Sequence, residues 1–256
     1  MSWGPSTPRT EAARAYVGTS GWAYTTWKPL FYPPETRTSE LLRHYAARLP
    51  TTEVNYTFRH LPTEKTAAGW LAATPPGFTF ALKASERITH VDRLRHPADT
   101  LPLFFERAGL LRERLGPILF QTPPTLRRDD DVLAGFVASL PSEGRYALEV
   151  RHPSWYAAEV YELLSARGVA LVHDDGEGHA PSPLETVGAT APFAYLRLRS
   201  ETPYDEVRIR RWADVIVEQV TAGLDVYAYL RHDADGTMGL AALTLRERLQ
   251  REGVAA

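Results

Sequence analysis

From one end of the chain to the other, short apolar or aromatic runs bounded by Gly or Pro alternate with longer stretches of helical period. That alternation constrains the fold more tightly than any other feature. The strand-like runs are Ala15–Ser20, Thr52–Phe58, Phe78–Ser85, Ile118–Thr122, Tyr146–Arg151, Val169–Asp174, Phe193–Arg199 and Val226–Arg231. Between them lie SELLRHYAARL, EKTAAGWLAA, TLPLFFERAGLLRERL, DVLAGFVASL, AEVYELLSARG, RRWADVIVEQVTAG and LAALTLRERLQRE. Ser39, Asp99 and Asp129 mark starts, and Gly168 and Gly223 mark stops. The sixth connection, DGEGHAPSPLETVGATAP, is rich in Gly and Pro and reads as an irregular loop. Eight βα units in series predict a parallel sheet that closes on itself. The expectation is an α/β fold, a single (β/α)8 TIM-type barrel over 13–256, preceded by a flexible arm at 1–12. The 256 residues suit such a barrel, whose usual size is about 250.

Composition narrows the chemistry. With no cysteine there are no disulfides, thiolate nucleophiles or thiolate metal sites, so any metal must use His, Asp or Glu. No apolar leader and no run of eighteen apolar residues occurs, so neither a signal peptide nor a membrane span is expected, and the cytoplasm is the expected address. A formal charge of −2 without a basic tail gives no support for strong nonspecific nucleic-acid binding. Among 29 cationic side chains the lysines are Lys28, Lys65 and Lys83 alone. The turn Thr19-Ser20-Gly21 matches neither a Walker loop nor a dinucleotide fingerprint.

Strands of a parallel barrel are covered on both faces and should read as nearly continuous Val, Ile and Leu. Several here do not. Glu53 and Asn55 fall on one face of the second strand, Lys83 on the third, Gln121 on the fourth, and Glu149 and Arg151 on one face of the fifth. His173 and Asp174, Arg197 and Arg199, then Arg231 and His232 follow on the later strands. These residues gather at the carboxyl ends, where barrel active sites are built. A buried charge without a partner costs several kcal/mol, so such a ring is mutually paired, hydrated or occupied by ligand. Salt-bridged interior layers are the competing structural reading for each residue taken singly. Aromatic residues crowd the loops after strands one and five: Trp22, Tyr24, Trp27, Phe31, Tyr32, Trp155 and Tyr156. Such rings stack on a sugar or a base, or fill core. His90 and His152 are general-base candidates that sit beside turn signals, where a His equally caps backbone groups.

The runs GTSGWAYTTWKPLFYP, EVNYTF, FTFALKASERITHVDRL, LGPILFQTPP, LEVRHPSW and FAYLRLR occur in order over nearly the whole chain, and together they resemble the YecE-like domain-of-unknown-function family. The resemblance implies a TIM-type barrel. It points to Trp22, Glu53, Asn55, Lys83, Gln121, Glu149, Arg151, His152, Asp174 and Arg197, largely the strand-end set. The family name carries no activity. Two late runs depart from the family pattern: Arg197-Leu198-Arg199-Ser200 stands where relatives have an RLHG-like run, and Tyr229-Leu230-Arg231-His232 where they have an FNN-like one.

Four chemistries fit these residues. In phosphate-ester hydrolysis of the endonuclease IV type, a small anionic or phosphorylated ligand is clamped by Arg151 and Arg197 and stabilised by Lys83, with Glu149 as acid/base. A divalent metal would fall to Glu149, Asp174 and neighbouring His or Glu, although the eight histidines form no HxH or HxxxH pair. In glycoside hydrolysis, Glu53 and Glu149 form the carboxyl pair. In imine chemistry, Lys83 is the nucleophile, against the plainer reading of an ion pair with Glu53 or Glu149. In a non-catalytic barrel the mouth binds a nucleotide, nucleic acid or protein. Trp155 joins Trp22, Asn55, Gln121, His152 and the two arginines as a ligand contact in the leading, hydrolytic reading. Cofactor and oligomeric state are left open.

Overall fold

The computed structural model describes residues 12–176 and 188–256, so 1–11 of the expected arm and 177–187 of the sixth connection lie outside the described residues. Nine parallel strand segments form one sheet: β1 (Ala15–Ser20), β2 (Thr51–Val54), β3 (Thr79–Lys83), β4 (Leu115–Gln121), β5 (Tyr146–Glu149), β6 (Val169–Leu171), β7 (His173–Asp174), β8 (Phe193–Leu198) and β9 (Asp225–Leu230). Their order is β6-β5-β4-β3-β2-β1-β9-β8-β7. Only Val172 separates β6 from β7, so these are two halves of one sixth strand. The first half pairs with β5 and the second with β8, and the two ends of the sheet meet in one stretch of chain. This is the expected TIM-type barrel.

The helices α1 (Leu41–Ala46), α2 (Glu64–Ala73), α3 (Pro97–Ala108), α4 (Asp130–Ala138), α5 (Ala158–Arg167) and α6 (Glu206–Thr221) lie between strands, and α7 (Thr237–Arg251) follows the last one. Asp129 caps α4 as its position predicts, its carboxylate accepting from the Val132 N–H at 3.1 Å. Gly168 ends α5 in the left-handed conformation, φ 63°, where a side chain is disfavoured. Two expected starts are displaced. Ser39 falls inside a 3₁₀ turn before the short α1, and α3 begins at Pro97, two residues ahead of Asp99, because proline's fixed φ suits a first helical position. The second strand also ends early, at Val54. There the Thr57 hydroxyl donates to the carbonyls of Val54 (2.9 Å) and Lys83 (2.7 Å), holding residues 56–58 in a turn rather than an extended run.

Two apolar layers result from strand alternation. The larger packs Phe80, Leu82, Ile118, Phe120, Leu148 and Leu196 against the helices. The smaller contains no helical residue and fills the barrel interior with Ala81, Leu119, Ala147, Ala170, Val172, Phe193, Tyr195, Tyr227 and Tyr229. Each polar residue of interest follows one interior residue by two positions: Lys83 after Ala81, Gln121 after Leu119, Glu149 after Ala147, Arg197 after Tyr195. The apolar interior is therefore a floor, and the polar set is the next layer toward the carboxyl ends of the strands. Among the described residues no helix is long and apolar enough to cross a membrane.

Candidate functional site

Arg197, on β8, is at the centre of that polar layer, 2% exposed. Its Nη2 donates to Glu53 Oε1 on β2 at 2.7 Å and its Nη1 to Glu149 Oε2 on β5 at 2.5 Å. One guanidinium thus bridges two carboxylates that are themselves 0% and 2% exposed. Each carboxylate accepts two further hydrogen bonds. Glu53 accepts from Ser20 Oγ (2.8 Å) and Tyr195 OH (2.8 Å), and Glu149 from Gln121 Nε2 (2.7 Å) and Arg151 Nε (2.8 Å). Register places Gln121 directly opposite Glu149, and Asp174 opposite Arg197.

Burial alone would raise both carboxyl pKa values. For Glu53 the charge of Arg197 and its hydrogen bonds, with those of Tyr195 and Ser20, outweigh burial and hold the pKa below its ordinary value. For Glu149 the charges of Arg197, Arg151 and Arg199 do the same, and its pKa lies far below the usual carboxylate range. Both groups are anions with every oxygen engaged. A glycosidase needs one carboxyl whose pKa is raised so that it can donate a proton, and neither glutamate fits that role. The same argument removes Glu149 as a general acid.

Lys83 is different. It ends β3, half-buried, with Nζ 4.0 Å from the centre of the Phe58 ring. Among the described residues it makes no ion pair, so the expected pairing with Glu53 or Glu149 is not what the barrel builds: those carboxylates are spent on Arg197 and Arg151. Burial, then the charge of Arg197, lower its pKa from 10.5 to about 8, with Glu53 and Glu149 offsetting only part of that.

Further polar and aromatic residues interact with members of this set. Arg199 Nε is 3.8 Å from Asp174 Oδ2. His90 packs edge-on against Phe58 (5.0 Å), its pKa lowered by burial and by the charges of Lys83 and Arg151. The ring of Tyr24 stacks on His232 at 5.0 Å and 10° between planes. Burial, then Glu53, raise the Tyr24 pKa to about 12, and burial, then Arg199, lower that of His232. Ser20 and Tyr195 were legible in principle, since Ser20 ends β1 and Tyr195 precedes Arg197 by two on the same face. Tyr195 reads as core because its ring is core, and only its hydroxyl belongs to the site.

Four expected contacts have other surroundings. Trp155 is 1% exposed and donates its indole N–H to the Leu126 carbonyl at 2.8 Å, so it is a packing residue. His152 accepts from the Ser154 N–H at 3.1 Å and lies 2.8 Å from its hydroxyl, the turn-capping role. Trp22 packs edge-on against Trp70 of α2 (5.5 Å) and Phe80 (6.3 Å), in the outer apolar layer. Asn55 sits half-buried in the turn after β2, beyond the strand whose face it was expected to share with Glu53. Among the described residues no group of three or more His, Asp or Glu side chains is placed to hold a metal ion.

The family model described as "Protein of unknown function DUF72" matches residues 16–256. The UPF0759 protein YecE of Escherichia coli (strain K12) is 32% identical over 175 residues, 66% of this chain and 62% of YecE. The UPF0759 protein YunF of Bacillus subtilis (strain 168) is 26% identical over 185 residues, 66% of this chain and 64% of YunF. The chain therefore aligns with a little under two thirds of the length of each of these relatives. A crystal structure of a DUF72 family protein from Thermotoga maritima superposes with a TM-score of 0.81 at 26% identity, covering 93% of this chain and 99% of that one. A second, from Enterococcus faecalis, superposes at 0.73 with 17% identity, a likeness of fold. With its barrel accounted for strand by strand and its sequence matched from residue 16 to 256, this chain belongs to the DUF72 family.

Proposed function

We propose that the carboxyl-end mouth of this barrel binds a small anionic ligand, a phosphorylated compound in the first instance, through Lys83, Arg151 and Arg199. The observation that carries this reading is the pairing scheme. Among the described residues, the cations Arg197, Arg151, Arg199 and Lys83 stand with the carboxylates Glu53, Glu149 and Asp174. Because both glutamates already pair with arginine, the positive charge without an ion pair among the described residues is that of Lys83. Arg151 donates to Glu149 through Nε, the one hydrogen bond its side chain makes among the described residues, and a guanidinium grips phosphate through its paired outer nitrogens. The stacked Tyr24 and His232 pair offers a flat apolar wall for the rest of the ligand.

Both glutamates are held as anions by Arg197 with a donor on every oxygen, which supports binding rather than hydrolysis. Thermal shift tests the reading. Inorganic phosphate, ribose 5-phosphate, ribose and a short single-stranded DNA are titrated into the protein and its Arg151→Ala variant. A ligand at a hundred times its Kd stabilises by about 2.7 kcal/mol, a rise in Tm of roughly 5–10 °C for a chain of this size. Phosphate-bearing small molecules are expected to raise Tm in the parent and much less in the variant. An equal rise in both, or none in either, overturns the reading; a response to DNA alone moves it to nucleic acid.

A further inference from the structure

We propose that Lys83 is an imine-forming nucleophile, its ε-amine condensing with the carbonyl of a small anionic aldehyde or ketone whose phosphate or carboxylate is held by Arg151 and Arg199. The proposal rests on the anion-binding reading above and deepens it by naming the substrate's reactive group.

The geometry points this way on three counts. Lys83 ends β3 at the carboxyl end, two residues beyond Ala81 of the interior apolar layer, so it belongs to the layer above that floor, where barrel sites are built. Among the described residues its amine has no carboxylate within ion-pair distance to hold it as a permanent cation. Arg197 and Arg151 have claimed Glu53 and Glu149. Finally, Phe58 on one side fixes the side chain, Nζ lying 4.0 Å from the ring centre, with His90 packed on the same ring. A plain cation at this position could equally be arginine, the choice at 26 of the 29 cationic positions of the chain, with Lys28 and Lys65 the other exceptions. Arginine keeps its proton at any physiological pH, so only lysine supplies a lone pair there.

The charged groups facing Nζ come from every neighbouring element: Arg197 from β8, Glu53 from β2, Glu149 from β5 and Arg151 just beyond it, with His90 following β3. Burial and the two arginines outweigh the two glutamates, and a pKa of about 8 leaves a substantial neutral fraction near neutrality. In the step itself the amine lone pair attacks the carbonyl carbon, forming C–N while the C=O π pair moves to oxygen. Proton transfer from nitrogen to that oxygen gives the carbinolamine. The hydroxyl then leaves with the second amine proton as water, and the nitrogen pair closes the C=N bond. No oxidant or reductant is needed.

The test is reductive trapping on the full chain. Glycolaldehyde phosphate, glyoxylate and uncharged glycolaldehyde are each incubated with the protein and cyanoborohydride, and adducts are located by intact mass and peptide mapping. With Lys28, Lys65 and the α-amino group as the other amines, assignment is unambiguous. A single adduct at Lys83 is expected, formed on the order of tenfold or more faster than at Lys28 or Lys65. Its rate should rise through about pH 8, be slowed by inorganic phosphate, and be lower with the uncharged aldehyde. Lys83→Arg should abolish the adduct while keeping a phosphate-induced rise in Tm, and should the arginine not fit, the wild-type mapping and its pH profile decide alone. Labelling spread evenly over the three lysines overturns the proposal. No labelling at Lys83 while phosphate still raises Tm through Arg151 overturns the imine and leaves the anion site standing. Neither labelling nor a phosphate response overturns both.

Discussion

Arg197→Met is the perturbation on which the account of the site can be checked most directly. Methionine keeps an apolar stem of similar reach but removes a buried guanidinium that is hydrogen-bonded to Glu53 at 2.7 Å and Glu149 at 2.5 Å. Removing one partner of a buried ion pair costs about 3–5 kcal/mol, because the other charge is left without compensation. Here two carboxylates are left, so the upper part of that range applies. At roughly 2–4 °C per kcal/mol for a chain of this size, Tm should fall by about 10–20 °C at pH 7. The pH dependence should change sign. In the parent, both carboxyl pKa values are depressed below 4.5, so the stability they contribute is present above that pH and is lost as pH falls through their folded values. In Arg197→Met, Glu53 loses the guanidinium that depresses it, so burial pushes its pKa up, while Glu149 keeps Arg151 and Arg199. Protonation then relieves the penalty, and the variant should gain stability relative to parent as pH falls from 7 toward 5. Calorimetry or chemical denaturation at pH 7, 6 and 5 measures both quantities. A fall in Tm of less than about 3 °C at pH 7, or a deficit that stays constant with pH, refutes the claim that Arg197 compensates both glutamates.

Three further outcomes follow from the same geometry. Lys83→Met should raise the Tm of the ligand-free protein at pH 7. The folded pKa is lowered, so the charged lysine costs stability below about pH 8 and the cost is relieved as pH rises toward 10.5; melting curves at pH 7 and 10 should show the gain shrink. Trp155→Phe should lower stability by about 1–3 kcal/mol, through the unpaired Leu126 carbonyl and lost volume, while leaving the phosphate response in thermal shift intact. Gly18→Ala should disrupt pairing of β1 with β2, because a Cβ there would meet the Thr51 carbonyl oxygen at 2.1 Å; loss of soluble expression or a Tm drop of many degrees is expected, and a parent-like melting curve would contradict it.

The sequence by itself determined the architecture and the layer in which the site lies. Eight strand-like runs in βα alternation leave a closed parallel sheet as the consistent solution, and a side-chain period of two puts Glu53, Lys83, Gln121, Glu149 and Arg197 on the inward face whichever way the strands are packed. Asp129 and Gly168 were legible for the same reason: capping is a matter of a few neighbouring residues. Tertiary structure decided who pairs with whom. Glu53 and Glu149 lie 144 and 48 residues from Arg197 and meet it only across the closed barrel. That closure commits both carboxylates to Arg197 and, among the described residues, leaves Lys83 without an ion pair. It also assigned Trp155 to the core and His152 to a turn. Whether an aromatic ring or an imidazole faces ligand or backbone depends on packing distances between elements far apart in the chain, and local pattern carries no information about those distances.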